Sequence, residues 1–342
     1  ERTRRVNVGV DANLLDNRLG VRFNYFRSAT DHLLMWQEMS FLSGLDKTWG
    51  NGGKLENRGF DVEATGVVWA SPSWQWQVGA SVGHYKNEVT ALPDGQQYMD
   101  TEILGATVRT EIGRPANLFY GYKTKGVFAT SAEAQAAGLY VRDANGVDQT
   151  AFEAGDVHFV DLDGDHFVTE ADRTVIGDPN PDIYGNIFTT VQYRRFRLDV
   201  RFNYSLGNDI YNYMRQQLES GSRFMNQTTA LARRWQVEGQ QTDIPRLSFQ
   251  DPMGNSRFSD RWIEDGSYLR LKTVTLSYDL PISSTFLQGL QFWVQANNVF
   301  TLSRYLGTDP EGAALSAVLG QGIDAGSVPQ SRNFMVGIKI SL

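Results

Sequence analysis

The sequence predicts an all-β fold in which long antiparallel strands form a transmembrane barrel. The first observation is alternation in Phe196–Leu206, where apolar or aromatic residues occupy every second position and Arg, Asp, Asn and Ser fill the others. Because side chains alternate across a strand, one face is apolar and the other is charged. The second observation is length, since a membrane-crossing strand needs about 9–11 residues whereas ordinary strands average about 5–6. The third is repetition to the end of the chain, where apolar residues alternate at Phe334, Val336, Ile338, Ile340 and Leu342.

Such patterns predict eleven strands, joined alternately by short turns and long loops. The strands are 5–15, 18–29, 55–70, 74–88, 101–112, 118–128, 182–193, 196–207, 268–280, 288–302 and 332–342. The short turns are 16–17, 71–73, 113–117, 194–195 and 281–288, and the long loops are 30–54, 89–100, 129–181, 208–267 and 303–331. Outer-membrane barrels have short periplasmic turns and long extracellular loops, so the alternation places the long loops outside the cell and Leu342 in the periplasm.

The number of predicted strands is odd, and the first strand runs toward a short turn. A complete bacterial barrel made by one chain has an even number of strands. The count therefore predicts that residues 1–342 are the C-terminal part of a larger barrel whose first strands are absent from this chain.

Composition and charge exclude several other classes of protein. The chain has no cysteine, so it can form neither a disulfide nor a thiolate zinc site. Its formal net charge of −7 argues against a general nucleic-acid-binding protein. There is no apolar run of about 18 residues, which argues against a transmembrane helix. The four histidines form no HExxH-type pair. The G-x-S-x-G match at Gly79–Gly83 lies inside the predicted strand 74–88 and not at the strand-to-helix turn of a nucleophile elbow, so we expect no enzymatic activity.

The most specific local motif is the acidic segment Asp161–Asp172, which has the spacing of a calcium-binding loop. Carboxylates at its first, third, fifth and twelfth positions can surround a hard cation with oxygen ligands, and Ca²⁺ accepts many oxygens in loose geometry. The predicted ligands are Asp161, Asp163, Asp165, the carbonyl of Phe167, Thr169 and Asp172. The loop departs from the usual pattern in two ways, because His166 replaces the glycine of the sharp turn and the final carboxylate is Asp rather than Glu. A structural Ca²⁺ is expected, and a solvated acidic loop is the alternative.

Other residues are candidates for binding rather than catalysis. Trp36 and Trp49, in the first long loop, are weak candidates for stacking on a sugar ring or a partner, with packing inside the loop as the alternative. Arg5, Arg22, Arg197 and Arg201 have apolar neighbours and are predicted to face the lumen of the barrel.

One of the long loops, 129–181, contains the signals of a short helix. Thr130 is the start, Glu133 completes a capping box and Gly138 is the stop, which predict a helix between Thr130 and Gly138.

Loop 208–267 carries more apolar residues than a solvated loop needs, and such residues often mark an interface. The predicted partner-binding residues are Met214, Leu218, Phe224, Met225 and Trp235.

Several sequence motifs resemble those of the SusC/RagA family of TonB-dependent outer-membrane transporters of Bacteroidota. The motifs occur in the same order as in that family and cover nearly the whole chain. They are Asn51–Gly53 with Leu55–Phe60, Phe119–Tyr122 with Gly126–Phe128, Asp161–Asp182, Gly207–Asn212, Tyr268–Lys272, and Ala296–Phe300 leading to Gly307–Glu311. The resemblance implies that the chain is about the C-terminal half of a large, 22-stranded barrel whose N-terminal plug is not in this sequence.

The same resemblance implies active import of oligosaccharides or oligopeptides across the outer membrane. A SusD-like surface lipoprotein would capture the ligand, and TonB would supply energy by pulling on the plug. Two alternatives stay open: a passive porin or adhesin barrel in outer-membrane lipid, and a soluble calcium-binding β module that binds glycans.

Overall fold

A computed structural model describes residues 1–39, 41–44, 47–142, 149–282, 286–312 and 318–341. The strands in chain order are β1 (Arg2–Leu14), β2 (Leu19–Glu38), β3 (Lys47–Ala70), β4 (Trp74–Ala91), β5 (Tyr98–Ile103), β6 (Ala106–Glu111), β7 (Leu118–Tyr122), β8 (Thr124–Val127), β9 (Tyr140–Arg142), β10 (Gln149–Ala151), β11 (Val157–Phe159), β12 (Arg173–Gly177), β13 (Ile183–Tyr193), β14 (Phe196–Leu206), β15 (Asp209–Asn212), β16 (Ile263–Asp265), β17 (Tyr268–Leu280), β18 (Gly289–Ser303), β19 (Ile323–Asp324) and β20 (Asn333–Ser341). The helices are α1 (Ser131–Ala137) and α2 (Tyr213–Glu219). Leu342, predicted to end the last strand, lies outside the described residues.

The main sheet contains nine strands in the order β1-β2-β3-β4-β13-β14-β17-β18-β20, and every neighbouring pair is antiparallel. Short connections such as 71–73 and 194–195 lie at one edge, which we call the turn side. The described residues of segments 92–182, 207–267 and 304–332 lie at the opposite end of the strands, the loop side. Within the described residues β1 and β20 each pair on one side only, so the sheet is open. The predicted antiparallel all-β fold is confirmed.

The register separates an apolar face of the main sheet from a polar face. Val200 on β14 lies opposite Thr189 and Val274, whereas its neighbour Asp199 lies opposite Thr190 and Thr275. The apolar face is exposed, as Val336, with 80% of its surface accessible, illustrates. The alternation read from single strands therefore extends coherently across the whole sheet.

Two predicted spanning strands, 101–112 and 118–128, are wrong. Leu104 and Gly105 have positive φ angles of 52° and 79°, and the turn they make folds the first segment into the hairpin β5–β6. The second segment is divided into β7 and β8, which belong to two different small sheets. All four strands have six residues or fewer, which is too short to cross a membrane. The predicted turn 113–117 consequently lies within the loop-side segment 92–182, and the number of long strands stays odd.

A row of aromatic side chains crosses five neighbouring strands of the main sheet close to the turn side. The register pairs them in sequence as Trp74, Tyr193, Phe196, Tyr278 and Phe292. Ring centroids are 4.4 Å apart in the first pair and 4.6 Å apart between the third and fourth residues. In membrane barrels, a girdle of this kind marks the boundary between lipid and water.

The loop-side segments are folded around two apolar cores. The first contains Phe128, Phe152, Val157 and Phe159, and the second contains Phe119, Tyr211, Trp262 and Ile323. The predicted helix is confirmed as α1: Thr130 accepts a hydrogen bond from the Glu133 amide at 3.2 Å, and Gly138 ends the helix with a φ of 60°. No helix in the described ranges is long and apolar enough to cross a membrane.

Candidate functional site

The acidic loop Asp161–Asp172 lies between β11 and β12 on the loop side. Carboxylate oxygens of Asp161, Asp163 and Asp165 all lie within 4.8 Å of one another. The loop is closed by its own backbone, because Asp161 accepts hydrogen bonds from the amides of Gly164 at 2.7 Å and His166 at 2.9 Å. These three carboxylates are the part of the predicted ligand set that the fold brings together.

Two of the remaining predicted ligands, Asp172 and Thr169, have other contacts. Asp172 is buried and accepts hydrogen bonds from the amides of Leu162 and Thr169, both at 2.8 Å. The Thr169 hydroxyl accepts from the Ala171 amide at 3.2 Å and caps a single 3-10 turn. Asp172 therefore ties the two ends of the loop together instead of joining the group of three.

The position at which the loop usually has glycine causes no obstacle. His166 adopts a φ of 67°, the left-handed conformation that a sharp turn requires. His166 therefore adopts the backbone conformation for which the usual loop has glycine.

Charge repulsion is present in this loop. The amide of Asp165 donates to Asp163 at 3.1 Å, which favours its ionised form. Desolvation and the charges of Asp165, Asp172 and Asp161 outweigh that hydrogen bond and raise the pKa of Asp163 above its ordinary value. For Asp161, slight burial is outweighed by the Gly164 and His166 amides, so its pKa is lowered. Oxygen-rich, partly repelling carboxylates are the chemistry that suits a hard cation.

An exposed apolar patch lies on loop 207–267. The rings of Phe224 and Phe249 are 4.9 Å apart, and the Phe224 side chain is 93% exposed. Met225, which follows Phe224 in the sequence, is also exposed, and the Leu247 side chain lies over Gly221. Leu247 and Phe249 were not singled out from the sequence, because nothing local indicates that their segment meets residues 221–225. We call Phe224, Met225, Leu247 and Phe249 the apolar patch.

The other predicted partner-binding residues are placed differently. Met214 and Leu218 lie on α2 and line a cavity of about 260 Å³ together with Leu306. Trp235 points into the loop core, where its indole nitrogen donates to the Ala129 carbonyl at 3.1 Å. Its ring lies over Gly155, which has a φ of 88°, and a side chain there would collide with it. Trp235 therefore stabilises the loops and is not part of the exposed surface.

Trp36 and Trp49 face each other across β2 and β3. Their ring centroids are 4.0 Å apart, and both residues are exposed. The predicted loop 30–54 is therefore wrong for most of its length, because β2 and β3 extend into it, and the two indoles stack between strands and not inside a loop. Each indole still has one face free of the other ring.

The four arginines predicted to face the lumen all lie on the polar face of the main sheet. Arg22 pairs with Asp11 at 2.9 Å, and Arg197 pairs with Asp199 at 2.8 Å. Arg5 donates to Asn7 at 3.0 Å, and Arg201 shares its face with Asp199. The same face carries a cavity of about 520 Å³ whose polar lining includes Asn24, Asp61, Glu63, Ser81, Asn186 and Asn203.

An ion-pair cluster fixes the last loop-side segment to β17. Arg270, almost fully buried, pairs with Asp309 and Glu311, and the amide of Gln330 donates to Asp309 at 3.0 Å. Burial alone would raise the pKa of Asp309, but the Arg270 guanidinium and two backbone amides outweigh burial and lower it.

No family model matches the chain. Two curated relatives from Formosa agariphila, named TonB-dependent receptor P3 and TonB-dependent receptor P26, are 30% and 27% identical to it over 353 residues. These matches cover 99% and 100% of this chain. The chain is a homologue of the TonB-dependent receptors. It spans 34% of the length of each of these relatives.

Solved structures agree with this relationship. A structure described as the RagAB peptide transporter matches the chain with a TM-score of 0.79 at 25% sequence identity. The match covers 99% of this chain and 35% of the transporter chain. The RagAB peptide importer in a closed-closed state gives a TM-score of 0.77. The resemblance read from the sequence motifs is confirmed, and relatives that are receptors and transporters fit the expectation that the chain is not an enzyme.

Proposed function

We propose that this chain is part of the barrel of an active importer in the bacterial outer membrane. The observation that carries the proposal is the exposed apolar face, which continues across all nine strands of the main sheet and is bordered by the aromatic row. Such a face is suited to lipid, whereas a soluble protein rarely exposes a large contiguous apolar surface. This disfavours the soluble glycan-binding module.

The proposed cargo is an oligopeptide or an oligosaccharide, and TonB supplies the energy. Homology to proteins named TonB-dependent receptors supports energised transport over a passive pore. The relative described as a peptide transporter supports peptides, and the polar cavity on the inner face suits either kind of cargo. In the whole transporter this polar face would surround the plug and the transport path.

The proposed partner is a SusD-like surface lipoprotein that covers the loop side. The apolar patch supports a contact there, because aromatic side chains as exposed as Phe224 are costly unless a partner covers them. We assign the contact to Phe224, Met225, Leu247 and Phe249, with Met214 and Leu218 lining the adjacent cavity.

The proposed role of Asp161–Asp172 is to hold a structural Ca²⁺. Asp161, Asp163 and Asp165 would supply carboxylate oxygens, and the ion would neutralise their mutual repulsion. The motif spacing and the left-handed turn at His166 support this assignment.

Transport is tested in cells that carry the whole transporter. Growth on a preferred oligomer, or uptake of a labelled one, should require the transporter and stop when TonB is deleted or the proton gradient is dissipated. Uptake that continues without TonB would favour the passive pore.

The partner is tested by substituting the apolar patch. Phe224→Ser with Phe249→Ser should reduce the lipoprotein that copurifies with the transporter, while the barrel stays inserted. Val237→Ser, at another exposed apolar position in the same loop, is the control. Deleting residues 212–235 would be a poor test, because it would also remove the Trp235 contact with Ala129. Unchanged lipoprotein recovery from the double variant would refute the assigned contact.

A further inference from the structure

A second polar cavity, of about 210 Å³, lies on the loop side against the small sheet β5-β6-β7-β12. The register aligns Glu102 with Thr107 and Arg173 with Tyr122, so these side chains emerge from one face of that sheet. The opposite face carries Ala106, Val108 and Phe119 into the second apolar core. The cavity is lined by Glu102, Thr107, Tyr120, Tyr122, Arg173 and Arg257.

Two guanidinium groups line this cavity. The guanidinium carbons of Arg173 and Arg257 each lie 5.5 Å from the centre of the Tyr122 ring. Glu102 supplies one carboxylate and is bonded to the Thr107 hydroxyl. Arg173 pairs with the exposed Glu170 at 3.2 Å, which leaves Arg257 as the arginine of the cavity that meets no carboxylate among the described residues.

Two enclosed arginines of the loop side, Arg257 and Arg261, have no carboxylate partner among the described residues. Other partly buried arginines meet a carboxylate, as Arg246 does with Asp156 at 2.9 Å and Arg215 with Glu219 at 3.0 Å. Arg257 makes no ion pair with any described residue, and the single hydrogen bond of its side chain reaches the Val168 carbonyl at 3.4 Å. Burial, reinforced by the charge of Arg173, lowers the pKa of Arg257. A buried cation without a partner is costly, so an anion entering the cavity would be stabilised.

We propose that this cavity binds a carboxylate group carried by the transported oligomer. The planar fork of arginine matches a carboxylate through paired hydrogen bonds. Tyr120 and Tyr122 line the same cavity, Tyr120 half-buried and Tyr122 buried beneath the two guanidinium groups. Exposed Glu102 and Gly105 form the rim, so the cavity is open to solvent.

The acidic loop holds one side of this cavity in place. Arg173 directly follows Asp172, whose carboxylate ties the loop ends together, and Arg257 donates a hydrogen bond to the Val168 carbonyl of the same loop.

The proposal names a chemical class of cargo and therefore rests on the proposed import function. Binding is measured on purified protein, so that failure of this site and failure of transport give different results.

The test is calorimetric titration of the purified full-length transporter with short oligomers. Trigalacturonate presents carboxylates on sugars, triglutamate presents them on a peptide, and maltotriose and triglutamine are the neutral counterparts. We expect at least one acidic probe, and neither neutral one, to bind. The acidic probe that binds identifies the source of the anion, and absence of binding by both would overturn the proposal.

Three variants locate the binding. Arg173→Gln and Arg257→Met should each weaken the acidic probe by ~10–100-fold, the usual effect of losing a charged hydrogen-bond donor. Arg114→Gln removes the same charge from an exposed arginine outside the cavity and should leave affinity unchanged. Equal weakening by Arg114→Gln would show a nonspecific charge effect, and unchanged affinity in Arg173→Gln would refute the site.

Melting temperature separates a ligand site from a structural role. Because Arg257 is buried without a carboxylate, Arg257→Met should melt no lower than the natural protein while losing its response to the acidic probe. If Arg257→Met melts lower and Arg173→Gln still binds the probe normally, the arginines have a structural role and the proposal fails.

Discussion

Placing arginine at Val200 is the most direct test of which face of the main sheet meets lipid. Val200 is on β14, with Thr189 and Val274 beside it on the apolar face. A guanidinium at this site would enter hydrocarbon without a charged partner, whereas arginine on the opposite face would meet water and carboxylates.

The magnitude follows from depth below the aromatic row. Val200 lies four residues from Phe196 along β14. At about 3.3 Å per residue and a tilt of about 45°, it lies roughly 9 Å inside the row. The apolar band of such barrels is about 25 Å tall, so Val200 is close to its middle, where arginine costs about 2–4 kcal/mol. Leu206 lies roughly 23 Å from the row by the same calculation, near the far boundary, where arginine costs about 0–1 kcal/mol.

The assay is urea-dependent unfolding of the full-length protein in phospholipid vesicles, read by its heat-modifiable shift on a gel. Val200→Arg should lose about 2–4 kcal/mol of unfolding free energy, and Leu206→Arg should lose about 0–1 kcal/mol. Thr275→Arg is the matched control, because Thr275 lies at nearly the same depth but pairs with Asp199 on the polar face. Equal costs for Val200→Arg and Thr275→Arg would refute the face assignment, and equal costs for Val200→Arg and Leu206→Arg would refute the depth.

Three further predictions concern the loop side. The double variant Asp161→Ala with Asp163→Ala should abolish Ca²⁺ binding measured by calorimetry and raise protease cleavage between residues 155 and 177. Glu170→Ala, in the same loop, is the control and should change neither measurement, and retained Ca²⁺ binding in the double variant would disprove the site. Asp156→Ala removes the buried carboxylate that accepts hydrogen bonds from Arg246 and Asn255, so hydrogen exchange in 149–160 should show about 1–3 kcal/mol of lost protection. Arg246 keeps its pair with Glu153, and unchanged exchange would mean that the Asp156 contacts are not needed. The pKa of Asp309 is lowered from 3.8, so its carboxylate stabilises the fold above that pH and the contribution is lost as pH falls through the lowered value. Protease cleavage of 304–332 should rise as pH falls below about 3.8, and Asp309→Asn should be cleaved faster than the natural protein above that pH, where the natural carboxylate is ionised.

The sequence by itself determined the features that depend on neighbouring residues. Alternation in 196–206 specified a long strand and its two faces, because successive side chains point to opposite sides of any strand. The capping residues Thr130 and Glu133 specified α1, since a helix end is satisfied by residues within one turn. The spacing of carboxylates in Asp161–Asp172 placed three of them together for the same reason.

Only the tertiary structure decided which segments belong to the main sheet. The stretch 101–112 alternates well enough for a spanning strand, but the turn at Leu104 and Gly105 lets it fold back and pack on the second apolar core. The aromatic row depends on the register between strands as far apart in the chain as β4 and β13. Arg257 lacks a carboxylate partner and Trp235 is turned inward because of which loops meet, and contacts between distant segments leave no periodic pattern in the sequence.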